Sequence, residues 1–397
     1  MKRSLSSLAR YENGYPFKAE ELGPVGTPVI RIRQLVDSSA DVDRHDGELP
    51  VRVVIGDGDL IFSWSGSLAV RIWDRGRGYL NQHLFRVDPA AGIDRLWLGR
   101  VLEASVPRLE GLMHGSAMTH ITRPMLKMVI WSVPTLPEQR RIADFLDDRV
   151  ARIDRIIAAR RAQISALEEA YVAWLGGHID GLGVRHGWAP LRRFVVAIEQ
   201  GWSPEADSVP ALPGQPGVLK LGAVRGGSFD SGQNKAFLGG TVPREELRVL
   251  DGDLLVTRAN TPGLVGDVAV AEGVDSMVYL SDLIYRVRTD RYGPLLASAA
   301  LRAPRSRQMI SVIARGTSGS MPKLRAEDIF SLAVPNVPLE DHAALGQQDK
   351  EQRQERYERT AQLRESTHLI SEYKQSLITA AVTGQLDVTT AGSGIPG

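Results

Sequence analysis

The nonapeptide YLNQHLFRV at 79–87 returns as YLSDLIYRV at 279–287. Tyr79, Leu80, Arg86 and Val87 stand 200 residues ahead of Tyr279, Leu280, Arg286 and Val287, so four of nine positions are identical. Four further blocks recur in the same order at offsets between 187 and 201: NGYPF with QGWSP, GTPVIRIRQLV with PGVLKLGAV, GDGDLIFSWSGS with LDGDLLVTRANT, and the long blocks 114–137 with 315–338. A duplication constrains the fold more than any local motif, because each copy must bury its own apolar face. With 397 residues in all, two folding units with real cores are expected.

Each copy ends on a proline-bounded entry, VPTLP or VPNVP, followed by a helical segment. In the first, Leu146, Val150, Ile153, Ile157, Ile164, Leu167, Tyr171 and Trp174 fall on a 4-3 spacing broken only at Arg160, which is a heptad seam. A helix over 138–175 is roughly 55 Å long at 1.5 Å per residue. The arginines of PEQRRIADFLDDRVARIDRII alternate with Glu138, Asp144, Asp147, Asp148 and Asp154, so this stretch reads as a spacer rather than a DNA-binding helix. The second segment, 340–381, repeats the stripe at Leu363, Ile370, Tyr373 and Leu377, but its front (347–360) is nearly all polar and is expected to be exposed, frayed or covered by a partner. Gly176, Gly177 and Gly384 read as helix stops.

Composition sets the outer limits. There is no cysteine, hence no disulfide, thiolate zinc site or cysteine nucleophile. A net charge of +1 argues against coating nucleic acid by charge alone. No apolar run reaches membrane-spanning length, and MKRSLSSLARYENGYPF has no apolar core for a secretory signal, so a soluble cytoplasmic protein is expected.

Within the copies, short β-type runs at Val29–Ile32, Leu60–Trp64, Leu84–Val87, Val218–Leu221, Leu254–Thr257 and Leu283–Val287 alternate with Gly/Asp/Asn/Pro turns. A compact α+β unit follows. GDGDL and DGDLL resemble acidic metal loops, but no bidentate Glu follows, and a tight turn with Gly58 and Gly252 at positive φ is the reading taken. The loops after these turns carry Trp64, Arg71, Arg75 and Arg77 in the first copy and Arg258, Asn260 and Thr261 in the second, side chains suited to phosphate, stacking or base-edge contact. The plain alternative is a solvated loop with one Trp anchored in the core. His114 and Ser116 against Ser320 and Lys323, with Tyr15, Lys18, Trp202, Lys220 and Arg225 from the other paired blocks, complete the candidates for DNA contact. The histidines His45, His83, His178, His186, His342 and His368 show no ligand spacing and read as incidental, and no metal site is expected. GxxxxGK[ST], HExxH and GxSxG are all absent, which favours a non-enzyme.

LPEQRRIADFLD followed by IDRII, and LITAAVTGQLDV at 377–388, together with the duplicated halves, resemble the specificity subunit of type I restriction-modification systems over almost the whole chain. The resemblance implies an α+β fold class: two similar mixed α/β target-recognition domains separated by two long antiparallel coiled-coil helices. It divides the chain into a first recognition domain (1–136), a spacer helix (137–180), a second recognition domain (181–338), a second spacer helix (339–386) and a flexible tail (387–397). It also implies a non-catalytic chain that reads one half of a bipartite, asymmetric site on double-stranded DNA with each domain. Two methyltransferase (modification) subunits and, through them, restriction (motor-nuclease) subunits are the implied partners, carrying S-adenosylmethionine and ATP/Mg, with no cofactor on this chain and no membrane. VPNVPLEDHAALGQQDKEQ lacks the EQRRI of the first copy, so the second helix entry has diverged. A non-catalytic protein-protein scaffold with two duplicated binding domains is the competing reading.

Overall fold

The computed structural model describes residues 1–37, 39–114, 120–314 and 321–388, which places Ser116, Ser320, the His114 side chain and the tail from 389 outside the described residues. The chain forms two compact units, Met1–Arg161 with Glu365–Gly397, and Ala162–Arg364.

Unit one runs β1 (Lys2–Ser4), α1 (Leu5–Leu8), β2 (Ala9–Asn13), β3 (Thr27–Ile30), α2 (Ile32–Val36), β4 (Arg44–His45), β5 (Val54–Ile55), β6 (Leu60–Ser63) and β7 (Val70–Ile72). It continues through β8 (Gly78–Leu80), β9 (Leu84–Pro89), α3 (Arg95–His114), α4 (Arg123–Met128) and β10 (Ile130–Ser132) into α5 (Leu136–His186). After α5, unit two runs β11 (Trp188–Pro190), β12 (Val195–Gln200), β13 (Gly217–Leu219), β14 (Val224–Arg225), β15 (Ser228–Phe229), β16 (Asn234–Ala236) and β17 (Leu254–Thr257). Then come β18 (Val268–Val270), β19 (Val278–Tyr279), β20 (Ile284–Thr289), α6 (Pro294–Arg302), α7 (Pro304–Ile313), α8 (Ala326–Phe330), β21 (Ala333–Pro335) and α9 (His342–Thr383).

The duplication seen in the sequence is a duplication of topology. Unit one has an antiparallel sheet β2-β9-β6-β7 and unit two has β12-β20-β17-β18. Beside each lies a smaller sheet with a parallel pair: Val29 opposes Tyr79 in β3–β8, and Val218 opposes Tyr279 in β13–β19. Leu60 and Phe62 of β6 enter the core around Trp97, whereas Ile61 enters the cluster of Ile30, Ile55 and Leu80 on the other face. Likewise Leu254 and Val256 of β17 face one core and Leu255 another. A strand buried on both faces has no polar alternate positions, which is why LIFS and LLVT read as continuous apolar runs. Gly58 and Gly252 adopt φ of +88° and +91°, and each turn is closed by the same bond, from Gly56 N–H to Asp59 Oδ2 and from Leu250 N–H to Asp253 Oδ2, both 2.9 Å.

Several sequence expectations shift. Ile32 leaves the expected strand Val29–Ile32 and begins α2, and Leu221 begins a 3₁₀ turn, because the chain bends directly after the parallel pair. Helix α5 does not stop at Gly176 or Gly177 but continues to His186, with Gly187 at φ +77° beyond it. The reason is packing: Leu175, Ile179 and Leu182 are buried in the core of unit two, which outweighs about 1 kcal/mol per helical glycine. Gly183 is there for contact, since a Cβ would stand 2.1 Å from the Trp188 ring. Gly384, at φ +77°, does follow the end of α9.

On the seam, Leu146, Val150, Ile153 and Ile157 are buried, and Ile164, Leu167, Tyr171, Leu363, Ile370 and Leu377 are half-buried. Tyr373 is 50% exposed; the buried stripe of α9 in unit one runs instead through Ile378, Ala381 and Val382. Within unit two the helices run antiparallel, Glu168 pairing with Arg364 at 3.0 Å and Tyr171 donating to Asp349 at 2.7 Å. The polar front of α9 is helical throughout, and Asp349 within it is buried, accepting from Tyr171 and Arg302. The front is thus mostly exposed, as expected, but ordered as helix rather than frayed, and Asp349 ties part of its polarity into an internal network.

Candidate nucleic-acid interface

At the end of each parallel strand pair the chain crosses over itself in the same way. Tyr15 bridges Asn81 and Trp202 bridges Ser281. Gly14 and Gly201 precede these residues because a Cβ on either would meet the backbone of 80–81 or 280–281 within about 2.3 Å. The crossing leaves a cleft in each unit, of about 360 Å³ in unit one and about 330 Å³ in unit two. Phe17, Arg31, Arg33, Gln82 and His83 line the first, and Trp202, Lys220, Lys235, Ser281 and Asp282 the second.

The same backbone carries different chemistry in the two. Trp64 N–H donates to the His83 carbonyl and its indole Nε1 to the Gln82 carbonyl at 2.9 Å. Arg258 N–H donates to the Leu283 carbonyl, and its guanidinium to the Asp282 carbonyl at 3.5 Å. Trp64 and Arg258 are therefore structural equivalents. Behind them Ser65 bridges His120 and Ala259 bridges Lys323, while Ile121 and Leu324 close the core in matching positions. Trp64 also lies against His83, Phe85 and His120, with ring centroids 5.7–5.9 Å away, so it packs behind the cleft residue His83 rather than standing as a free stacking platform.

Charge is locally arranged rather than abundant. Arg31 and Arg33 share one carboxylate, Asp43, at 3.3 and 3.1 Å, which leaves a net positive charge at the first cleft. In the second cleft Lys220 and Lys235 stand opposite Asp282. Trp202 is covered by the Arg244 guanidinium at 4.6 Å and meets Phe237 edge-on. Behind the cleft, burial and then a hydrogen bond to Glu245 push the Tyr279 hydroxyl up to about 12, so it stays a neutral donor.

The remaining candidates distribute unevenly. Tyr15 is half-buried and donates to Glu21 at 3.3 Å; Lys18 is exposed, its backbone N–H bonded to the Glu21 carboxylate. Asn260 spends its side-chain oxygen on the N–H of Thr261, which is exposed, as is Lys323. Arg71 and Arg75 do not reach the cleft: Arg71 sits on β7 beside Asp74, and Arg75 folds over Trp73 at 4.3 Å and donates to the Gln34 carbonyl. Arg77 is exposed after them. Arg225 lies on β14, a hairpin strand that lines neither cleft. Sequence reasoning overlooked Arg31, Arg33, Lys235 and His120, and dismissed His83, which lines the first cleft and bonds Ser65 at 2.9 Å. The signal was available for Arg31, since IR at 30–31 faces LK at 219–220 in the repeat.

The model of the family described as Type I restriction modification DNA specificity domain matches residues 1–166. Residues 1–166 thus match a DNA specificity domain of type I restriction-modification systems, and the chain is similar to specificity subunits of such systems. Among curated relatives, the chain is 34% identical over 101 residues to the Type I restriction enzyme EcoEI specificity subunit of Escherichia coli, covering 25% of this chain and 17% of that one. It is 24% identical over 157 residues to the EcoBI specificity subunit of Escherichia coli, covering 39% of this chain and 33% of that one. The aligned stretches thus span about a third or less of those relatives. A solved structure described as "Structural basis underlying complex assembly and conformational transition of the type I R-M system" matches with a TM-score of 0.65 at 16% identity, over 97% of this chain and 98% of that one. That likeness carries the fold: mixed helix and strand, with α5 and α9 in a two-domain plus coiled-coil layout. Among the described residues no helix is long and apolar enough to cross a membrane.

Proposed function

We propose that this chain reads double-stranded DNA through the two strand-end clefts, each recognising one half of a bipartite asymmetric site. The supporting observation is that one backbone crossing is built twice with different side chains at equivalent positions: Trp64 and Arg258, His120 and Lys323, Gln82 and Asp282. One scaffold with two chemistries suits two different half-sites, since positioning contacts come from the shared frame and base readout from the varied groups. Near-neutral net charge fits a chain whose partners supply most of the phosphate contact. We assign no catalysis and no cofactor to this chain. Helices α5 and α9 fix the spacing and dock two methyltransferase subunits, and through them restriction subunits, with S-adenosylmethionine and ATP/Mg held by those partners.

The test adds a cognate methyltransferase subunit and S-adenosylmethionine to the purified chain and maps the methylated positions. Sequence-specific methylation with two separated half-sites is expected. The Lys235→Ala/Lys323→Ala double variant should relax one half-site and leave the other intact. Methylation without sequence preference, or loss of both half-sites together in a folded variant, would overturn the assignment.

A further inference from the structure

The two units treat one sheet edge differently. In unit two, β18 is covered: the β14–β15 hairpin lies along it, Gly227 bridges Ala269, and Gly227 N–H donates to the Val268 carbonyl at 2.9 Å. Val268, Ala269 and Val270 are accordingly buried. The hairpin fits only as glycine, because a Cβ on Gly227 would stand 2.7 Å from the Arg302 guanidinium. Arg353 of α9 fastens it through Ser228 at 2.8 Å.

In unit one the equivalent edge is bare. The repeat places β14 where α2 ends, at Leu35–Val36, and there the chain turns away instead of forming a hairpin. β7 is left half-buried beside an open slot of about 840 Å³, walled by α5 and α9. Ser63 N–H donates to the Ala69 carbonyl, so alternation in the ladder turns the backbone groups of Val70 and Ile72 outward, away from β6, at the edge where Val70 lines the slot. Val36, 66% exposed, and Ile157 add apolar surface. The acidic groups of the slot are matched: Glu103 by Arg100, and Asp154 by Lys374. Arg155 and Arg161 also line it, and among the described residues neither has a carboxylate within ion-pair distance, so the lining carries more cationic than anionic groups.

We propose that this slot is a docking site for an extended, acidic segment of a partner protein, which adds a strand to the outer edge of β7. The occupant is inferred from the molecule's own second copy, in which a polypeptide strand fills the equivalent place. A free strand edge offers alternating main-chain donors and acceptors, which an extended peptide matches along its length and acceptor-only DNA phosphates do not, and the surplus arginines attract carboxylates. This surface is separate from the clefts assigned to DNA, and its occupancy does not depend on that assignment.

The probe is a synthetic peptide of residues 222–231 carrying Arg225→Glu, added to the full chain at up to about 1 mM, the range of a single short strand addition. Amide exchange at Val70 and Ile72 should slow on addition, and Arg155→Glu/Arg161→Glu, both exposed positions, should weaken binding by about tenfold. A chimera in which 224–229 replace 35–40 should protect the same two amides without peptide and abolish binding. The proposal is overturned by unchanged exchange at saturating peptide, by equal binding to the Arg155→Glu/Arg161→Glu variant, or by a DNA duplex protecting the slot in place of the peptide.

Discussion

Unit one and unit two hold the same ion pair under opposite conditions. Arg100 on α3 meets Asp147 on α5, and Arg302 on α6 meets Asp349 on α9, each across 47 residues of chain. In unit one the pair is wet, with Asp147 42% exposed. In unit two it is sealed, at 7% and 3%, with the Tyr171 hydroxyl donating to the carboxylate and accepting from the guanidinium. Burial works against the charge on Arg302, but Asp349 and Tyr171 more than offset it, and its pKa is held above the ordinary arginine value. The repeated arginine of the sequence behaves likewise. Arg86 donates to the carbonyls of Val54 and Val51, whereas Arg286, 1% exposed, is bonded to Glu199, Asp253 and the carbonyls of Arg248 and Glu246. The difference teaches that a duplicated contact can diverge by how far water is excluded from it, and that the more buried copy gathers additional partners.

This contrast can be broken at three depths. Asp349→Ala strands a buried guanidinium and should destabilise unit two by about 3–5 kcal/mol in urea unfolding, while Asp147→Ala should cost below about 1 kcal/mol. Equal losses would erase the distinction. Arg286→Met should cost about 3 kcal/mol against about 1 kcal/mol for Arg86→Met, read by the same unfolding curves. The smallest effect concerns pH. Burial opposes ionisation of Glu199, but hydrogen bonds from Arg288 and Arg286 outweigh it and lower its pKa. A carboxylate depressed in the folded state contributes stability above its unfolded value of about 4.3, and that contribution fades as pH falls through the folded value. Glu199→Gln should therefore be less stable than the parent at pH near neutrality and converge with it in acid; a gap that persists in acid would point to packing instead.

The duplication, the paired Gly-Asp turns and the front of the α5 seam were legible because each is written in local chemistry: identity at fixed offset, φ-permissive residues, a 4-3 apolar spacing. The rest depended on contacts between distant segments. Gly176 looks like a stop until Pro304 is seen packed against it. Asp349 looks like solvent-facing polarity until Arg302 arrives from another helix. Tyr373 sits on a plausible stripe, yet the buried face of α9 passes through Ile378. At the clefts, Trp64 and Arg258 were found by residue type, but their equivalence is a matter of shared carbonyl partners. Arg31 was legible only through its alignment with Lys220 in the repeat, and Arg33 went unnoticed because a strand end gives no composition signal.

Unit two is one continuous stretch, 162–364, whereas unit one is assembled from residues before 162 and after 364. The core around Trp97 includes Ile378, Ala381 and Val382. During synthesis, then, the unit begun first is the one finished last: its sheet and α3 must wait, with an apolar face uncovered, until the final turns of α9 emerge, while the later unit already has every residue it needs. A released chain cut short between 364 and 378 would hold one complete unit and one that is still open.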